Sequence, residues 1–426
     1  MVSSIIRRKC KMNNINLFYV PMNKLKTTTV GVYIHRELNK EDVSKNAILP
    51  HILKQGSKLC KTPEAVSKYL ENLYGAVLKA GVVKFGDDQV LRFEAETISD
   101  KYAPNKEPLT YDLVKFILSV IFEPMTENGG FIKSVVDIEK NNLKTRILSE
   151  MNDKRTYAMH RCIEEICKGE PYALSANGKI YEVDKLNEKN LYEYYKEAIV
   201  SSVIDIYVCG DADADKLQAL IDETVANIEF KEAKITKTNL HISDAEPKNV
   251  TEKMDVTQGK LAIGFRTGIL PSDKDYFALM VFNSLFGAGA HSKLFNNVRE
   301  KLSLAYYASS AIVKAKGVMV VNAGIEFENY QKAYDETLVQ LEEIKKGNIS
   351  ELEYQSSIQS IINSLTAYSD LPEQLHNFMA SERVYGTNYD IDYVKNEILK
   401  VTTDDISRVA QGITLDTVYF LKGKEE

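Results

Sequence analysis

FNSLFGAGAHSKLFNNVREKLSLAYYASSA, residues 282–311, is the stretch from which the rest of the chain can be read. It begins as the end of an apolar helix (273–287), crosses the glycine-rich connection FGAGAHSK (286–293) and resumes as a short helix over 291–302. It then enters the strand AYYASSAIVKA (305–315), with GVMVVNAGIE (317–326) as the next strand. The glycines lie between two helices, not between a strand and a helix, so a flexible connection is the ordinary reading and a phosphate cradle is disfavoured. Upstream, KLAIGFRTGIL (260–270) reads as a strand. Downstream, helices fill most of 328–411 and the strand DTVYFLKG (416–423) closes the chain.

The same order occurs once before. TTVGVYI (28–34) stands where KLAIGFRTGIL does, and helices over 41–56 and 63–73 stand where 273–287 and 291–302 do. Strands AVLKAGVV (76–83) and QVLRFEA (89–95) follow, and Tyr74 in LENLYGAVLKA is matched with Tyr306. A further strand, NLFYV (16–20), precedes this block; helices over 110–122, 131–168 and 188–199 follow it, before the strand VIDIYVCGD (203–211). Both halves close on a helix, a short gap and a strand. A repeat of this period predicts an α+β protein of two duplicated domains, each an antiparallel sheet with helices packed on one side. The expected boundaries are 1–230 and 256–426. The polar segment 231–255, with the only proline between 172 and 270, serves as linker.

Composition agrees with that size and narrows the function. At 426 residues the chain exceeds one ordinary core. Its 54 Lys+Arg and 60 Asp+Glu are spread along the sequence, which argues against a nucleic-acid partner. No run approaches the ~18 apolar residues of a membrane span. The opening MVSSIIRRKCKMNN lacks the apolar core of a signal peptide, so a cytoplasmic protein is expected. Cys10, Cys60, Cys162, Cys167 and Cys209 are odd in number and show no C-x-x-C spacing; free, mostly buried thiols are the expectation.

Hydrolytic chemistry finds little support in the residues. A zinc site is most simply built from two ligands a helical turn apart. The six histidines, His35, His51, His160, His241, His291 and His376, offer no such pair. There is no G-x-S-x-G elbow and no Walker loop.

Residues 282–311 resemble the glycine-rich turn, R-E-K helix and L-A-Y strand entry of the pitrilysin/insulinase metallopeptidase family, and the resemblance covers essentially the whole chain. It is similar to the smaller bacterial and mitochondrial-processing-peptidase-like members. Among these are metal-less bacterial chains named as factors associated with aminopentanol modification of elongation factor P. The family carries an inverted H-x-x-E-H motif, and NAILPHILKQGS (46–57) matches it in register. His51 falls on the second histidine, Ala47 on the first and Pro50 on the catalytic glutamate. RILSEM (146–151) places Glu150 at the third ligand, with Leu143 at an assisting acid. Ala47 has no donor atom. Pro50 has neither carboxylate nor N–H, and its ring is expected to bend the helix. The resemblance therefore implies a degenerate motif with no catalytic residue and no metal, zinc being held only by a partner chain.

In the second half the resemblance implies that Arg299 and Tyr306 bind substrate and polarise its carbonyl. The plainer alternative pairs Arg299 with a nearby acid and packs Tyr306 against the sheet. The implied function is a non-catalytic subunit that joins a zinc-bearing homologue as a heterodimer, or itself as a homodimer. The two chains would enclose a clamshell chamber around a peptide substrate, bound by strand addition. Two alternatives stand beside it: a peptide-binding scaffold with no role in proteolysis, and an active zinc endopeptidase with an atypical site.

Overall fold

A computed structural model describes residues 6–9, 14–241 and 246–424. In chain order the first half runs β1 (Ile6–Lys9), β2 (Ile15–Pro21), β3 (Thr27–Glu37), α1 (Val43–Leu53), α2 (Pro63–Asn72), β4 (Val77–Phe85) and β5 (Asp88–Ile98). It continues through α3 (Leu109–Phe122), the small hairpin β6 (Thr126–Glu127) and β7 (Gly130–Phe131), and α4 (Lys133–Ser149). Then come α5 (Lys154–Ile166), α6 (Ile180–Asp184), α7 (Glu188–Val200), β8 (Val203–Gly210) and α8 (Ala214–Thr224). The helical run expected over 131–168 is thus two helices. Asp153 starts the second by accepting from the backbone N–H groups of Arg155 and Thr156.

The second half runs β9 (Lys248–Met254), β10 (Gly259–Arg266), α9 (Tyr276–Phe286), a π-helical segment over Leu294–Lys301, β11 (Ala305–Val313) and β12 (Val318–Ile325). Helices α10 (Tyr330–Lys345), α11 (Glu351–Tyr368), α12 (Pro372–Tyr385), α13 (Ile391–Ile398) and α14 (Thr403–Gln411) precede β13 (Thr414–Gly423). Strand β9 begins inside the stretch expected to be linker. Its sequence, KNVTEKM, leaves every side chain exposed or half-buried, so it carries almost no apolar signal.

The duplication is explicit in the strand order. One sheet runs β1-β2-β8-β3-β5-β4 and the other β11-β12-β10-β13-β9. Apart from β1, the two match strand for strand. Each has a single parallel pair at the same place, β2 with β8 and β13 with β9, in an otherwise antiparallel sheet. The α+β, duplicated architecture is as expected. One correspondence differs: Tyr74 occupies the left-handed turn before β4 (φ 58°), whereas Tyr306 lies within β11. The left-handed residue in the turn before β11 is Ser303 (φ 49°).

Two compact units result, neither continuous in sequence. The first comprises the residues up to Leu148, Leu174–Lys237 and Tyr368–Val384; the second comprises Ser149–Ala173, Thr238–Ala367 and Tyr385 onward. In the first, α1 and α3 cover the sheet face bearing Val30, Val32, Leu91 and Phe93. Burying each of these aliphatic or aromatic side chains contributes about 1.5–3 kcal/mol.

The opposite face of the first sheet is covered by α12, and the contact is polar. His35 sits between Asp88 (Nδ1 to Oδ2, 2.7 Å) and Asp205 (Nε2 to Oδ2, 3.4 Å), all fully buried. Arg383 of α12 donates to Asp205 at 2.9 Å, and Asn16 does so at 2.8 Å. Farther along, His376 Nε2 lies 3.2 Å from Cys209 Sγ, and Tyr33 donates to Glu94 at 2.7 Å. In the second unit α5 covers the equivalent face with Ala158, Cys162 and Ile166 against Ala262, Val318, Val320 and Tyr419. The four described cysteines, Cys60, Cys162, Cys167 and Cys209, are free and buried; Cys10 lies outside the described residues.

Candidate functional site

Nine of the eleven residues of α1 are buried, including Ala47, Leu49 and Pro50. The helix runs through Pro50 without interruption, and Lys54 N–H donates to the Pro50 carbonyl at 3.2 Å. Proline removes only the bond its own N–H would have made, and surrounding packing holds the turn. The expected disruption at Pro50 is therefore confined to one missing bond.

His51 is half-buried at the end of this helix. Burial first, then the charges of Arg146 and Lys54, pulls its pKa down to about 4. Its imidazole is neutral at physiological pH and faces two cations. Arg146 comes from α4, whose buried side is Val136, Glu139 and Leu143. Glu139 accepts from Gln55 Nε2 at 2.9 Å, just beyond the end of α1, and its charge also acts on Arg146. The side of α4 that meets the α1 end thus carries Glu139 and Arg146, seven residues apart. The motif spacing had put that same interval on Leu143 and Glu150. Leu143 is fully buried, and Glu150 falls in the turn after α4, in the second unit.

These residues do not fit zinc. Ala47 and Pro50 supply no donor, leaving one neutral imidazole. A divalent ion bound there would also be repelled by the Arg146 guanidinium. Among the described residues no group of three or more His, Cys, Asp or Glu is placed to hold a metal. Arg146 and Glu139 were missed in the sequence because RILSEM offered a glutamate in attractive register. The i, i+4, i+7 spacing of Glu139, Leu143 and Arg146 was the signal available.

Arg299 and Tyr306 lie in the second unit. Arg299, on the π-helical segment, places its guanidinium carbon 4.7 Å from the centre of the Phe295 ring and its Nε 3.5 Å from Glu300. Tyr306 is 54% exposed and donates its phenol proton to Glu326, which raises its pKa. Both side chains face solvent with an acidic neighbour, and Tyr306 does not pack into the core.

A duplicated mixed-sheet architecture with the degenerate stretch Ala47, Pro50 and His51 on α1 defines a metallopeptidase-like fold. Residues 185–361 match the Peptidase M16 inactive domain. The chain is 37% identical over 424 residues to the probable inactive metalloprotease YmfF of Bacillus subtilis, covering 100% of this chain and 99% of that one. The chain belongs to the M16 (pitrilysin/insulinase) metallopeptidase family. It is 22% identical over 311 residues to an uncharacterized zinc protease of Mycobacterium bovis, covering 71% of this chain and 68% of that one. A conserved protein from Enterococcus faecalis, known from its crystal structure, superimposes with a TM-score of 0.89 at 29% identity, covering all of both chains. No helix among the described residues is long and apolar enough to cross a membrane.

Proposed function

We propose that this chain is the metal-free member of a peptide-handling pair, joined to a zinc-bearing homologue in a reducing, cytoplasmic compartment. The homologue would supply the metal, and this chain would supply the opposing wall with Arg299 and Tyr306. The observation that carries the reading is the pair of cations, Arg146 and Lys54, beside the single remaining histidine of the motif. A site that had merely lost its ligands would be neutral. Here Arg146 and Lys54 outnumber the Glu139 carboxylate, which disfavours a cation beside His51 and supports a non-catalytic role.

The test is reconstitution. Mixed with a purified homologue bearing intact H-x-x-E-H, this chain should raise cleavage of an unfolded peptide, with zinc at one ion per pair. No complex and no gain of cleavage would reject the pairing. In that complex Arg299→Ala and Tyr306→Phe should each lower turnover by ~10²-fold with assembly intact. The peptide-binding scaffold remains a second reading because Tyr306 already gives its proton to the Glu326 carboxylate. Unchanged turnover in both variants, with the peptide still bound, would favour it.

A further inference from the structure

On the α12 side of the first sheet, within the first unit, lies a cavity of about 750 Å³. Its walls come from β3, β4, β5, the turn before β4 and the start of α12 with the residues just before it, and none of α1 takes part. Two side chains that line it carry buried polar atoms without a hydrogen-bond partner, Thr29 Oγ1 and Glu94 Oε2. Thr29 is 5% exposed and Glu94 3%. Glu94 spends its other oxygen on the Tyr33 phenol (2.7 Å), while the nearest cation to Oε2, Arg92 Nε, stands off at 3.6 Å. Burial opposes ionisation of Glu94, but His376, Tyr33 and Arg92 outweigh it and keep the carboxyl below its usual range.

The rim is acidic as well. Glu96, Asp370 and Glu373 line the opening with Lys79, and Arg92 behind the wall also reaches Glu373 at 3.9 Å. Lys79 is bound to Glu373 at 2.6 Å, and Lys24 pairs with Asp370. Glu96 pairs with no cation among the described residues. Val77, Leu371 and Pro372 supply apolar wall beside these charges. An acceptor-only oxygen buried without a donor has lost its hydration with nothing in exchange, and that cost falls when a ligand brings the donor. A carboxylate at the floor, a hydroxyl one register step along the neighbouring strand and an apolar wall match a positively charged donor head on an alkyl stem.

We infer that this cavity binds an organic cation, a primary ammonium or guanidinium carried on an alkyl chain, with Glu94 and Thr29 taking the head group and Glu96 steering it in. A lysine or arginine side chain of a peptide and a free polyamine share this chemistry. The inference is independent of any role in proteolysis.

Calorimetric titration of the full chain tests it with three probes. These are spermidine, an acetylated and amidated Gly-Val-Lys-Val-Gly peptide, and the same peptide with norleucine for lysine. At least one cationic probe should bind, and the norleucine peptide should bind at least about tenfold more weakly than the lysine one. Binding by the peptide alone assigns the cation to a side chain, and binding by spermidine alone assigns it to a free amine. Glu94→Gln should weaken binding about tenfold or more. Because Glu94 also holds Tyr33, Thr29→Val and the exposed Glu96→Gln provide variants that keep the fold; each should weaken binding severalfold. Thr29→Val gives up no protein hydrogen bond, so its effect on affinity would come from the ligand. Equal affinity for the lysine and norleucine peptides, no binding by either cationic probe, or full affinity in Thr29→Val and Glu96→Gln would overturn the assignment.

Discussion

The two sheets of this protein share a strand order, yet the helices laid on their second faces differ in what lies at the centre of the contact. Over the first sheet, α12 meets carboxylates, imidazoles and a guanidinium: Asp205 with Arg383, His35 between Asp88 and Asp205, His376 against Cys209. Over the second, α5 presents an apolar centre, Ala158, Cys162 and Ile166 against Ala262, Val318, Val320 and Tyr419, with polar contacts around it where Tyr157 and Arg161 meet Glu252 and Arg266 donates to the Ile166 carbonyl. The apolar contact stabilises by removing area from water and tolerates small errors of placement. The ionic one gains little net stability, because desolvation offsets attraction, but it penalises any arrangement that leaves a charge alone. A duplicated fold has thus kept its backbone and divided its chemistry. The polar face is also the one that borders a cavity.

The largest expected effect follows directly. Asp205→Ala strands the largely buried Arg383 and one side of the fully buried His35, which should cost ~3–5 kcal/mol. Ile166→Ala, the matching deletion on the apolar face, should cost about 2–4 kcal/mol. With two units in one chain, the suitable measurement is amide hydrogen exchange resolved by strand. Asp205→Ala should accelerate exchange in β3 and β8, and Ile166→Ala in β10 and β13. If Asp205→Ala leaves β3 and β8 protected, the ionic contact is not what holds α12, and the contrast fails.

Much of this was legible in the sequence, and the reasons for the remainder are physical. Strands such as TTVGVYI and KLAIGFR declare themselves because one set of alternate residues is apolar. The repeat was visible for the same reason. The degenerate motif at Ala47, Pro50 and His51 was readable because missing donor atoms are a property of residue type alone. Arg146, Glu139, Glu94 and Thr29 were not readable, because their meaning depends on which face of a helix or strand they occupy and what crosses it. Placing α5 on the second sheet and α12 on the first needs contacts far apart in sequence, to which periodicity is blind. One signal was present: a glycine sits mid-strand at Gly31 and again at Gly264, and glycine inside a strand marks close backbone approach.

The second way to separate the faces is pH. Burial opposes the charge on His35, but Asp88 and Asp205 outweigh it and raise its pKa to about 9. A base whose folded pKa lies above its unfolded value of about 6.5 stabilises fully below that value. The contribution is lost as pH rises through about 9. Asp205 behaves oppositely: held below its usual range, it stabilises above about pH 4 and loses that contribution in acid. Protection of β3 should therefore fall between about pH 6.5 and 9. Ala158, Cys162 and Ile166 give α5 no such loss, since burial pushes the Cys162 thiol up and out of that window. Burial opposes the charge on His376 too, but Cys209 and Glu94 outweigh it and raise its pKa to about 9, so it adds to the same slope. His35→Gln should reduce the alkaline slope in β3 and leave the His376 part, and an equal slope in β10 would break the comparison.

The smallest effect is also the most discriminating, because it uses the two glycines. A Cβ at Gly264 would stand 2.2 Å from Ile166 Cδ1, and one at Gly31 would stand 2.9 Å from His376 Nδ1 and 3.0 Å from Tyr33 Cε2. Either glycine changed to alanine should cost about 1–3 kcal/mol through overpacking. The remedies differ. Gly264→Ala with Ile166→Val trades one methyl for another on an apolar face, so the double variant should recover most of the loss. Gly31→Ala with His376→Ala makes room in the same way. It also leaves Cys209 without its imidazole partner and takes a neighbour from Glu94, so it should recover little. Two double-mutant cycles, read by strand-resolved exchange, would give coupling of opposite character at equivalent places in one duplicated fold. Equal recovery in both would mean that the imidazole of His376 is only filling space, and that the polar face is ordinary packing.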